Sequence, residues 1–168
     1  MTTFRIIAIP DRVAEAVRAA RVSPRYGHPA YAETAKGYGP CRQCLRGFAV
    51  GRERRILFTY DAFADTETLP LPGPVFIHEE SCTRYPEDGG FPEELRAHAL
   101  TLEAYERGRQ LRAVERVGDG APGRVEESIE RLLARTDVDY IHVRDTAAGC
   151  YDCRIERVEA GASRSTRT

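Results

Sequence analysis

Lysine is almost missing from this chain: Lys36 is the only one, and every other basic side chain is arginine. Such a bias accompanies GC-rich coding, so the arginine count is not evidence for nucleic-acid binding. Net charge is also lacking. The formal value of -1 leaves no global field to hold a polyanion. No apolar run approaches the length of a membrane span. MTTFRIIAIPDRV is broken early by Pro10 and carries no small-residue cleavage site, so no signal peptide is expected. A cytoplasmic protein with no membrane partner follows, and nucleic acid is not an expected partner. The sequence names no partner and no oligomeric state. There is no internal repeat, no phosphate-cradling glycine loop, no nucleophile elbow and no HExxH helix.

What is present fits one globular domain of 168 residues, long enough to bury a core without staples. The expected organisation is a single α+β domain over 1–160 with a disordered Ser/Thr/Arg tail at 161–168. Thr3 to Ile9 is apolar and reads as a strand. Pro10 and Asp11 start a helix in which Val13, Ala14, Val17 and Ala20 recur at helical spacing. Ser23 to Pro29 is a loop, and Tyr31 to Lys36 fits no single template. Leu45 to Val50 and Arg54 to Tyr60 read as a hairpin turning at Gly51-Arg52-Glu53. Val75 to His78 is a short strand, and Pro92 opens a short helix. Ala99 to Arg107 carries no clear pattern. Gln110 to Val117 alternates as a strand, with Leu111, Ala113, Glu115 and Val117 on one face. Arg124 to Arg135 is the clearest helix, with Val125, Ile129, Leu132 and Leu133 on one stripe. Val138 to Arg144 and Cys150 to Val158 form a second hairpin. The mixture predicts two or three helices packed on a mainly antiparallel sheet.

Five cysteines are an odd and modest number. In a reducing compartment, cysteine pairs read as metal or redox sites before disulfides. Cys41 and Cys44 have the spacing of a metal knuckle, and GYGP before them supplies the turn. His78 and Cys82 offer a second pair at the end of a strand. Three thiolates and one imidazole make the closed tetrahedral set of structural zinc. This predicts Cys41, Cys44, His78 and Cys82 as zinc ligands in a protein with a binding or interaction role. The competing readings are four unligated side chains and a thiol-dependent enzyme or redox protein. The second would use Cys41/Cys44, with Arg42 and Arg46 stabilising a thiolate, or Cys150 with His142. Cys150 and Cys153 repeat the two-residue spacing, but on a strand they would face opposite sides. Glu79, Glu80, Glu87 and Asp88 flank the second pair and read as an exposed acidic loop. Arg52, Arg54 and Arg55 read as a solvated basic turn, and His98 as a solvated helix residue.

Four blocks carry a family resemblance: GYGPCRQCLRGF, RILFTYDAF, LPGPVFIHEESCTRY and VDYIHVRDTAAGCY. Together they resemble the bacterial domain-of-unknown-function family 1203, over roughly Phe4 to Arg157. The resemblance implies a small stand-alone bacterial protein and no particular activity. Cys41, Cys44, His78, Cys82, His142 and Cys150 match characteristic positions of that pattern, and Cys153 does not.

Overall fold

The computed structural model describes residues 3–118 and 124–158. Alternation in the first apolar segment gives β1 (Phe4–Ile7), with Phe4 and Ile6 turned inward. Pro10 caps the next element and cannot extend β1, so α1 (Asp11–Ala20) begins with Asp11 in its first turn. The helix buries Ala14 and Val17 and stops at Arg21, whose left-handed φ of 53° lets its N–H return to the Val17 carbonyl. The segment Tyr31–Thr34 is β2, followed by β3 (Arg54–Asp61) and β4 (Pro72–His78). These three form an antiparallel sheet in the order β2-β3-β4. Pro72 and Pro74 are tolerated because β4 is an edge strand, where a missing N–H breaks no ladder.

The remaining elements are α2 (Glu93–Arg96), β5 (Leu100–Tyr105), β6 (Leu111–Val117), α3 (Arg124–Leu133), β7 (Tyr140–Asp145) and β8 (Tyr151–Arg157). They build a five-stranded antiparallel sheet, β1-β8-β7-β5-β6. One face buries Ile6, Leu102, Ile141, Val143, Cys153 and Ile155 beneath Ile129, Leu132 and Leu133 of α3. The three-stranded sheet has its own core, where Ile56, Phe58, Val75 and Ile77 meet Ile9, Val17, Cys41 and Cys44. Phe63 meets Tyr105 edge to face, on the other face of the larger sheet, and is buried together with it and Tyr140. The chain is thus a single α+β domain, with three helices among the described residues. Its antiparallel strands fall into two sheets instead of the one expected.

The hairpin expected from Leu45–Val50 and Arg54–Tyr60 is corrected. Only the second half is a strand, and β3 pairs with β2 and β4 instead. Leu45 takes a left-handed φ of 56°, which ends the turn after Cys44. Glu53 then holds the segment as a turn: its carboxylate accepts the Ala49 N–H at 2.7 Å, and its own N–H reaches the Ala49 carbonyl. The segment without a pattern, Ala99 to Arg107, contains β5, flanked on both sides by β6 and β7. The tail expected at 161–168 lies outside the described residues. Among the described residues, no helix is long and apolar enough to cross a membrane.

Burial on the α3 stripe sets the first expectation. Ile129 is fully buried, whereas Leu111 on edge strand β6 is about half exposed. Ile129→Ala should lower the unfolding free energy by about 2–5 kcal/mol, and Leu111→Ala by less than about 0.5 kcal/mol. Urea denaturation of both variants checks the pair.

Candidate metal centre

The knuckle is built by a short run of backbone constraints. Gly39 has φ +150°, and a Cβ there would come within 3.0 Å of the Phe76 ring. A side chain at this position would push the turn away from β4. Cys41 instead forms a parallel bridge with Phe76, and the Arg42 N–H donates to the Phe76 carbonyl at 2.9 Å. The Cys41 carbonyl accepts from Leu45, closing the turn that carries Cys44. The carbonyls of Arg42 and Gln43 accept from Ile9 and Tyr85. Every side of the knuckle is therefore tied to another element.

This placement brings Cys41, Cys44, His78 and Cys82 together, with their donor atoms all within 4.8 Å of one another. Cys41, Cys44 and His78 are buried, and Cys82 is partly so. Cys41 Sγ lies 3.8 Å from Cys82 Sγ, and Cys44 Sγ lies 3.5 Å from His78 Nδ1. A tetrahedral ion with metal–sulfur bonds of about 2.3 Å and metal–nitrogen bonds of about 2.0 Å sets these edges at about 3.8 and 3.5 Å. Drawing the widest pair onto such an ion takes a closure of only about 1 Å. The cluster thus has the donors and the spacing to hold a metal ion.

Electrostatics favour positive charge at its centre. Hydrogen bonding to Cys44 and Cys82, and then to His78, holds the Cys41 thiol far below its usual range. The Cys82 thiol is driven up by its contacts with Cys41 and Cys44. His78 is raised to about 10 by Cys41 and then Cys44. A cage that favours an imidazolium over neutral imidazole also favours a metal cation. The backbone N–H of His78 points at Cys41 Sγ from 3.4 Å. Arg18 of α1 reaches Cys82 Sγ at 3.6 Å, Gln43 Oε1 at 2.7 Å and the His78 carbonyl at 3.0 Å. Gln43 in turn donates to Asp11 at 2.7 Å. These contacts orient the donors from outside. On the far side of the imidazole, buried Nε2 has no hydrogen-bond partner, and the Glu53 carboxylate stands 3.7 Å away.

Several expected roles change. The carboxylate that faces His78 is Glu53, from the turn read as solvated, and not one of the acidic residues around Cys82. Of those, Glu79 pairs with Arg21 and Arg54, and Glu87 with Arg84 and Arg5. In the basic turn Arg52 and Arg54 are exposed, as expected, whereas Arg55 is buried against the Phe76 ring and donates to Glu33. His98 stacks on Tyr38 with ring centroids 3.4 Å apart. The pairing of Cys150 with His142 is not formed. The register of β7 and β8 puts Arg154 opposite His142. His142 is instead buried among Phe63, Tyr105, Tyr140 and Tyr151. Burial, with Arg144 and Arg154 nearby, pushes its pKa down to about 3, so the ring stays neutral. Cys150 sits at the turn, and Cys153 lies in the core of the larger sheet.

The sequence reading gave Arg42 only a role in stabilising a thiolate and missed its contact with the larger sheet. Its buried guanidinium donates to the carbonyls of Tyr151 at 2.7 Å and Pro40 at 2.5 Å, and meets Asp152 Oδ1 at 3.1 Å. The knuckle is thereby pinned to β8. Burial raises the Asp152 carboxyl to about 6, against the opposing pull of Arg42. An unfolded aspartate releases its proton near pH 4. Between about pH 4 and 6 the folded state therefore binds more protons at this group, and its contribution to stability falls as pH rises. Subtracting the Asp152→Asn stability profile from that of the parent should leave a downward slope of up to about 1.4 kcal/mol per pH unit in this window. Urea unfolding across the window checks it, and a flat or rising difference would refute the assignment.

No curated protein and no solved structure matches the chain. A family model does, described as protein of unknown function (DUF1203), and it covers residues 38–157. That span takes in all four donors of the cluster, β3 to β8 and both residues of the Arg42–Asp152 pair. The chain belongs to domain-of-unknown-function family 1203.

Proposed function

We propose that this is a zinc protein in which Cys41, Cys44, His78 and Cys82 hold one structural ion, and that its role is binding or interaction. The observation that carries the reading is the pair of tetrahedral edges, 3.8 Å between Cys41 and Cys82 and 3.5 Å between Cys44 and His78. Three sulfurs with one imidazole suit zinc better than the oxygen-seeking divalent ions. Four protein donors fill a tetrahedron and leave no position for a water nucleophile, which favours a structural ion over a catalytic one. The donors come from the knuckle, the end of β4 and the segment after it, so the ion crosslinks parts of the chain distant in sequence. Uncombined thiols at this density fit a reducing, cytosolic setting in a bacterial cell.

The test is metal content with thiol accessibility on protein purified without chelator. One zinc per chain is expected, with Cys41, Cys44 and Cys82 protected from alkylation until a chelator is added. Cys41→Ser should abolish the bound metal and lower stability by about 4 kcal/mol, whereas Cys150→Ser should change neither. Metal-free protein with five freely titrating thiols would overturn the reading. A metal-free protein with two thiols missing would instead support disulfide chemistry at Cys41.

Glu53 supplies a finer expectation. A carboxylate facing the non-ligating nitrogen of a metal-bound histidine orients the ring and raises its basicity. Glu53→Gln should weaken zinc binding by about 10–100-fold, measured by competition with a chromophoric chelator. Unchanged affinity would remove Glu53 from the site.

A further inference from the structure

The two sheets meet along a cleft that the metal centre does not use. Pro74 of β4 forms one wall, and the turn Ala148–Cys150 between β7 and β8 forms the other. On one side of this waist lies a cavity of about 330 Å³, walled chiefly by Tyr38, Pro40, Leu57 and Phe76. On the other lies a cavity of about 430 Å³, reached by Tyr60, Glu103, Arg144 and Tyr151. Both volumes fall within the range of ordinary small-molecule sites. The first is almost wholly apolar, and the second is mixed.

The polar half has hydrogen-bonding capacity left over. Arg144 donates Nε to Glu103 at 2.8 Å and Nη1 to the Gly149 carbonyl at 3.2 Å, while its buried Nη2 has no hydrogen-bond partner among the described residues. Glu103 Oε2 is occupied by that bond and by the Tyr105 hydroxyl at 2.7 Å, so the pair is close to electrically neutral. Tyr60 and Tyr151 bring their rings to 5.9 Å across the gap between the sheets. Neither hydroxyl has a hydrogen-bond partner among the described residues. Burial raises both phenols, Tyr60 to about 12, so both stay protonated donors at neutral pH. A guanidinium and two phenol donors at one end suit an acceptor. At the other end the wall carries Asp145, already accepting from the Ala148 N–H at 2.6 Å, and Arg42. Arg42 is offset by buried Asp152 at 3.1 Å, so the charge left on that wall is that of Asp145, which disfavours an anion there.

The geometry points to a binding site for a small organic carboxylate, its acid group beside Arg144, Tyr60 and Tyr151 and its apolar body against Phe76, Leu57 and Pro40. Two features of the cleft set this class. The donor-rich half offers charge-assisted hydrogen bonds to a carboxylate. The adjoining half rewards burial of a flat or branched hydrocarbon. Cys150 stands at the waist, between the halves.

The test titrates the full chain with 4-phenylbutyrate, 4-phenylbutanol and 4-phenylbutylamine, followed by backbone amide shifts in solution NMR. The acid should give saturable shifts at Phe76, Gly149 and Tyr151 and bind about tenfold or more tighter than the alcohol. The amine should be weaker still. Arg144→Gln should bring the acid to the affinity of the alcohol, and Tyr60→Phe should weaken the acid and not the alcohol. The amide spectrum itself reports whether each variant folds. If Arg144→Gln does not, the acid–alcohol difference and Tyr60→Phe decide the matter. Absence of saturation at millimolar ligand, shifts confined to other surfaces, or an alcohol or amine binding as tightly as the acid would overturn the proposal.

Discussion

The parallel bridge between Cys41 and Phe76 is the contact on which the arrangement turns. It is a small piece of backbone pairing, reinforced by the bond from Arg42 N–H to the Phe76 carbonyl. Its effect is to fix a turn after residue 40 against the strand that ends at His78. Two residues along β4 from Phe76, the His78 N–H then meets Cys41 Sγ, and the imidazole meets Cys44. Gly39 makes the approach possible, because any side chain there would meet the Phe76 ring. Cys82 enters last, on a segment held by Arg18 and Gln43. The donors are thus positioned by hydrogen bonds from the surrounding chain, at a spacing that could hold a metal ion.

The knuckle also faces the larger sheet. Arg42 sends its guanidinium away from the sulfurs to the Tyr151 carbonyl and Asp152. A buried ion pair is weak evidence of net stabilisation, since desolvation offsets much of its attraction. The bond from Arg42 Nε to the Tyr151 carbonyl nevertheless ties the knuckle of the small sheet to β8 of the large one. The cleft between the sheets owes its shape to this docking, since the knuckle residues Tyr38 to Arg42 form part of its apolar wall. The four-donor cluster and the cleft thus share the knuckle as a common support.

Much of this was legible in the sequence. The stripe on α3 and the strand at Leu111 announced themselves by periodicity, the strand at Phe4 by its apolar run, and the last hairpin by two segments around a turn. The four donors were visible as CxxC and HxxxC, because such spacings are set by local chain geometry. What was not legible depended on long-range pairing. β5 does alternate, with Leu100, Leu102 and Ala104 buried and Thr101 and Glu103 less so, but the pattern spans only a few residues just after a short helix, too few to mark Ala99 to Arg107 as a strand. Leu45 to Val50 looked like a strand because its apolar residues cannot reveal that Leu45 adopts a left-handed backbone. The mate of His78, Glu53, was hidden for a similar reason: only the fold of residues 45–53 brings that turn back over the imidazole. The distance between Cys150 and His142 was likewise decided by register, which put Arg154 in the place where a thiol was sought.

The most direct test of the central claim is X-ray absorption at the zinc edge on the protein as purified. The account predicts a first shell of three sulfurs at about 2.3 Å and one nitrogen at about 2.0 Å. It also predicts no oxygen in that shell. A shell of nitrogen and oxygen alone, or fewer than three sulfurs, would contradict ligation by Cys41, Cys44, His78 and Cys82.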